Sequence, residues 1–117
     1  METKTYKGFR DTGKVFVSSQ RENYDYELPL YLNLVDHSPS GFNWGYGGSG
    51  PAQLAFAILY DYFDHKDVAF NNYQQFKWEV IAKLNQDKDF ILTDEDILDF
   101  FFERKETCNV IWRNKKY

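Results

Sequence analysis

The sequence predicts an α+β fold, a small antiparallel sheet of about three strands packed against three helices. Three observations predict it. The N-terminal third alternates apolar and polar residues between turn signals. A nearly all-apolar run follows a cluster of glycine and proline. Two later segments carry apolar residues at three- and four-residue spacing. At 117 residues the chain is long enough for one domain with a single core. Its parts are a sheet over about 5–36, a loop over 37–50, helices over about 51–63, 66–84 and 94–103, and a basic tail over 104–117.

Thr5–Arg10 and Lys14–Ser18 read as a β-hairpin closed by Asp11-Thr12-Gly13, with Val15 and Val17 on one face. Ser19–Asn23 is polar loop. From Tyr26 the alternation is strict, with Tyr26, Leu28, Leu30, Leu32 and Leu34 pointing one way, so a third, half-buried strand is expected there. Pro29 places its start at a sheet edge or bulge. Ser49 or Gly50 is expected to cap the first helix, with Pro51 as its first residue, where a missing N–H costs nothing. Between Ala52 and Phe63 only Gln53 and Asp61 are strongly polar, so this helix belongs at the centre of the fold. Asp61 and Asp64 read as solvated charges at its end.

Ala69, Tyr73, Phe76, Val80 and Leu84 give the second helix its apolar face, and Asn85–Phe90 reads as a connector. Thr93-Asp94-Glu95-Asp96 opens the third helix with a capping Thr and acids that suit the helix dipole. Its expected apolar face is Ile97, Leu98, Phe101 and Phe102. In the tail, Val110-Ile111-Trp112 reads as a short late strand or as a segment that docks on a partner.

The run Ser38–Pro51 holds five of the seven glycines and two of the three prolines, with Phe42, Trp44 and Tyr46 between them. Together with its flanks it reads His37-Ser38-Pro39-Ser40-Gly41-Phe42-Asn43-Trp44-Gly45-Tyr46-Gly47-Gly48-Ser49-Gly50-Pro51-Ala52-Gln53-Leu54-Ala55. This block resembles that of an uncharacterised family of small proteins from bacteria, plasmids and phages. Tyr6, Gly8, Phe76 and Lys77 fit the same likeness, which covers about residues 5–100. The resemblance implies no established activity. It does imply a mobile-element setting, and with it a role in conflict between phage and host.

Gly45-x-Gly47-x-x-Gly50 matches a dinucleotide fingerprint in letters only, because a helix rather than a parallel strand follows the first helix. It is no P-loop either, since Pro51-Ala52 stands where Lys-Ser/Thr is required. Backbone N–H groups of Gly47, Gly48, Ser49 and Gly50 ahead of a helix still make an anion site. Phe42, Trp44 and Tyr46 offer faces on which a planar ring stacks. The same residues also suit a tight turn with its aromatics in the core. Gln53 is either a buried anchor for the loop or a ligand contact. Ser38 is expected to start a turn with Pro39, and His37 to end the preceding strand.

A net charge of −4 argues against general nucleic-acid binding and against anionic membrane surfaces. The charge is uneven: Asp87–Glu103 holds seven acids and one lysine, whereas Arg104–Tyr117 holds five bases and one acid. Both blocks read as solvated surface. With one cysteine, Cys108, and two histidines 28 residues apart, neither an internal disulfide nor a standard metal site is expected, and no cofactor. The N-terminus lacks an apolar leader, so a cytoplasmic protein acting in the host cell is expected. No nucleophile or acid–base constellation points to an enzyme.

The preferred expectation is a non-catalytic binding protein that sequesters an anionic, nucleotide-type molecule at Phe42, Trp44, Tyr46, Gly47, Gly48, Ser49, Gly50 and Gln53. The alternative is an inhibitor that binds a host protein through its acidic third helix and exposed aromatics. Twenty-three aromatic residues also point to a homodimer or higher oligomer.

Overall fold

A computed structural model describes residues 3–21 and 23–108, and side chains as far as Phe102. The elements run β1 (Lys4–Gly8), β2 (Val15–Ser19), β3 (Tyr24–Glu27), α1 (Ser49–Phe63), α2 (Lys66–Glu79), a 3₁₀ turn (Ile81–Lys83), β4 (Phe90–Thr93) and α3 (Asp94–Cys108). The fold is α+β, as the sequence predicts, with four antiparallel strands among the described residues rather than about three, in the order β3-β2-β1-β4. The expected late strand at Val110–Trp112 lies outside the described residues. No described helix is long and apolar enough to cross a membrane.

The hairpin forms as the turn chemistry dictates. Lys4 pairs with Ser19 and Gly8 with Val15, and Gly13 takes a positive φ of 73° in the turn. Period-two alternation then sends Tyr6, Val15, Val17, Phe90 and Leu92 inward. The third strand is far shorter than its sequence pattern. It ends at Glu27, because Leu28 N–H makes the last return bond to Val15 C=O and Pro29 has no N–H to continue the ladder. Tyr31 then turns the chain with a φ of 58°, so Leu30, Leu32 and Leu34 belong to an irregular segment rather than to a strand.

The fourth strand fills the gap between the expected connector, which it overlaps only at Phe90, and the capping Thr93. Phe90–Thr93 pairs antiparallel with β1, Tyr6 opposite Leu92. It runs straight into α3, where Asp96 Oδ2 accepts from Thr93 N–H and Thr93 Oγ1 accepts from Asp96 N–H, a reciprocal capping box. Among the described side chains of α3, Ile97 and Phe100 are buried, with Phe101 beside them, while Leu98 and Phe102 face solvent contrary to the expected face.

α1 lies at the centre. Leu54, Ala55, Phe56, Ala57, Ile58 and Leu59 are all fully buried, as an almost wholly apolar helix requires. It begins two residues earlier than expected, with Gly48 as N-cap and Pro51 third in the helix. That is still within the turn whose N–H groups have no intrahelical partner. The expected second helix divides into α2 and the 3₁₀ turn, the break falling at Val80.

The sequence places Asp61 in solvent; the structure places it in the sheet–helix seam. Its side chain is 7% exposed, and Lys4, also nearly buried, pairs with it at 3.2 Å. Tyr6 and Tyr26 donate their hydroxyls to the same carboxylate at 2.7 and 2.8 Å, and Lys4 Nζ also reaches Asp61 C=O at 3.0 Å. One carboxylate thus ties β1 and β3 to α1. Asp64, by contrast, is the exposed, left-handed residue that ends α1.

Burial, reinforced by the Asp61 carboxylate, pushes the Tyr6 hydroxyl far above the ordinary value of 10.0, and burial pushes Tyr31 up to about 12. The folded state therefore favours neutral tyrosine. That contribution is complete below pH 10 and is lost as pH rises above it. Urea unfolding should show stability falling between about pH 10 and 12, by up to ~1.4 kcal/mol per pH unit for each such tyrosine. Tyr6→Phe should make the fall shallower. A stability that stays level to pH 12 would contradict it.

Candidate functional site

The glycine–aromatic loop is built around Trp44, which points inward. Its ring is fully buried, edge-on to Phe90 at 4.8 Å, and its Nε1 donates to Lys88 C=O at 2.9 Å. Arg10, from the hairpin turn after β1, lays its guanidinium 4.2 Å from the Trp44 ring centre and donates to Asn43 Oδ1 and Gln86 C=O. Arg10 is thereby committed to the loop.

Gly45 must be glycine on two counts: its φ is 88°, and a Cβ there would sit 2.5 Å from the Gln86 backbone. Its N–H donates to Ile81 C=O, which fixes the loop to the turn after α2.

Phe42 is also buried. It lines a groove of about 450 Å³ between the hairpin turn, the chain after β3 and Gly41. Two of the three expected stacking faces are therefore core surfaces, and Tyr46, 39% exposed, is the one that faces solvent. The reason is local. A loop has no period to separate inward from outward aromatics, and the close approach to Gln86 turns Trp44 in and Tyr46 out.

Gln53 has its polar atoms occupied within the protein. Its Oε1 accepts from His37 and Ser38 N–H at 2.7 and 3.0 Å, and its Nε2 donates to Leu30 and Val35 C=O at 2.6 and 2.7 Å. It is a buried clamp on the irregular segment, which answers the sequence alternative in favour of the anchor. Ser38 starts a turn, as expected, donating its hydroxyl to Gly41 C=O, while His37 Nε2 lies 2.7 Å from the Tyr73 hydroxyl.

The outward half of the loop is different in kind. A methyl group at Gly47 would collide with the six-membered ring of Trp78, and one at Gly48 would come 2.5 Å from the ring of Tyr46. Two aromatic rings thus rest on adjoining glycines, and Trp78 remains 57% exposed. Lys77 holds its ammonium 4.4 Å from the Trp78 ring centre. Gly48 begins α1 without a capping side chain, the first turn contains no acid, and Ser49 is exposed. Gly50 is buried, a Cβ there lying 2.7 Å from that of Asn43.

Tyr46, Gly47, Gly48 and Ser49 therefore share one surface with Trp78, whereas Phe42, Trp44 and Gln53 serve the interior. Trp78 was not singled out from the sequence. A signal existed, because Trp78 falls about 200° from Phe76 around α2, on the side where polar residues belong.

Comparison with curated proteins and with solved structures gives no match. A family model matches residues 6–103, a span that includes the loop, α1, α2 and the Trp78 surface. On that match the chain belongs to the Family of unknown function (DUF6166).

Proposed function

We propose that the chain is a non-catalytic binding protein that engages a host protein through Tyr46, Gly47, Ser49 and Trp78. The setting is the one the sequence resemblance implies: a phage or plasmid protein acting in the host cytoplasm against a defence. One observation carries the reading. Gly47 makes room for a tryptophan that is left mostly in water, so the chain gives up a side chain to seat an exposed ring. Trp and Tyr lose little conformational entropy on binding and dominate the energetics of protein interfaces.

A second reading is favoured by the bare start of α1. Its uncapped amides and acid-free first turn suit an anion. A nucleotide-type ligand would then stack on Trp78 or Tyr46, not on Phe42 or Trp44.

Thermal melting with mono-, di- and cyclic nucleotides separates the two. A ligand at a hundred times its dissociation constant stabilises by about 2.7 kcal/mol. The first reading expects no shift with any of them, and loss of host-protein binding in Trp78→Ser at unchanged melting temperature. A nucleotide-dependent shift that Trp78→Ser abolishes would replace it with the second.

A further inference from the structure

We propose that the bare face of the sheet is a contact between two copies of this chain, packed face to face about a two-fold axis parallel to β2. The other face is filled by the core. On the bare face, the strand register sets Glu27, Phe16, Lys7 and Ile91 side by side in one row, one from each strand. Phe9 packs edge-on against Phe16 at 6.0 Å, and Ile91 is 62% exposed, so the row carries an apolar patch with one charge of each sign.

The charges select both the occupant and the axis. Lys7 and Glu27 flank Phe16 at one strand spacing each, ~4.8 Å. An axis along β2 lays Phe16 on its counterpart, brings Lys7 against the partner's Glu27, and repeats the pair on the other side. Thr5 then faces the partner's Asp25. An axis across the strands would instead oppose Lys7 to Lys7 and Glu27 to Glu27. Lys14 stands on the axis at one end and meets its counterpart there, each drawn to 4.0 Å from Glu27 of its own chain. The overlapping strands β1, β2 and β3 measure roughly 14 by 17 Å from strand spacing and rise, with Ile91 on β4 beyond the partner's edge. That is well under the ~800 Å² per partner of standard complexes, so the dimer is weak and concentration-dependent.

Sedimentation equilibrium at low salt over rising concentration tests it. The wild type should move from its 14.0 kDa monomer mass toward twice that value. Lys7→Glu and Glu27→Lys should each weaken association at least tenfold. The double exchange, and an equimolar mixture of the two single variants, should both restore it. Trp78→Ser should dimerise like the wild type, which separates this face from the Tyr46–Trp78 surface. Both charged positions are exposed, and unchanged melting of each variant excludes misfolding. A wild type that stays monomeric throughout, or a dimer indifferent to Lys7→Glu, would overturn the proposal.

Discussion

Asp61→Ala should destabilise the protein by roughly 3–5 kcal/mol, the cost of leaving a buried charge without its partner. The Lys4 side chain is 9% exposed and loses the carboxylate that pairs with it. Tyr6, fully buried, loses the acceptor of its hydroxyl, and Tyr26 loses the same one. Each buried group left unsatisfied adds about 1–3 kcal/mol of desolvation that nothing offsets. The double variant Lys4→Met/Asp61→Leu should recover only the ion-pair part of the loss, since removing both members of a buried pair is often neutral while Tyr6 and Tyr26 still lack their acceptor. Urea unfolding of the two single variants and the double variant gives the cycle. Asp61→Ala within about 1 kcal/mol of the wild type would contradict the seam as described.

Trp44→Ala should cost a similar amount, roughly 3–5 kcal/mol, although Trp44 sits in the middle of a glycine-rich loop. The ring fills space against Phe90, and Arg10 stacks over it. Its removal leaves a cavity and also frees Arg10 from a contact of about 0.5–2 kcal/mol. Tyr46→Ala, two residues on and partly in water, should change stability by less than about 1 kcal/mol. Denaturant midpoints of the two variants compare them directly. Equal and small effects would mean that both rings lie on the surface.

These pairs show where the sequence is legible and where it is not. α1 could be read because the stretch Ala52–Phe63, strongly polar only at Gln53 and Asp61 and opened by glycine and proline, has few other solutions. The capping box of α3 was legible because its partners are three residues apart. Asp61 was not, because Lys4 and Tyr6 lie 57 and 55 residues away, and local pattern makes an aspartate near a helix end look solvated. β4 was missed because four residues are too few to show alternation. The long strand after Tyr26 was overpredicted because its alternation outlasts the ladder that Pro29 stops. For the candidate surface, the glycines and Tyr46 were in view from the start. Trp78 was not, since nothing short of the fold brings position 78 against Gly47.

Photo-crosslinking in host cells is the most direct test of the proposed surface. A photoreactive phenylalanine analogue would replace Trp78 or Tyr46, with Phe102 and Ile91 as controls that are more open to solvent. The binding reading expects one discrete adduct with a host protein from positions 78 and 46, and none of that mass from positions 102 and 91. No adduct from position 78, or the same adducts from all four positions, would contradict it.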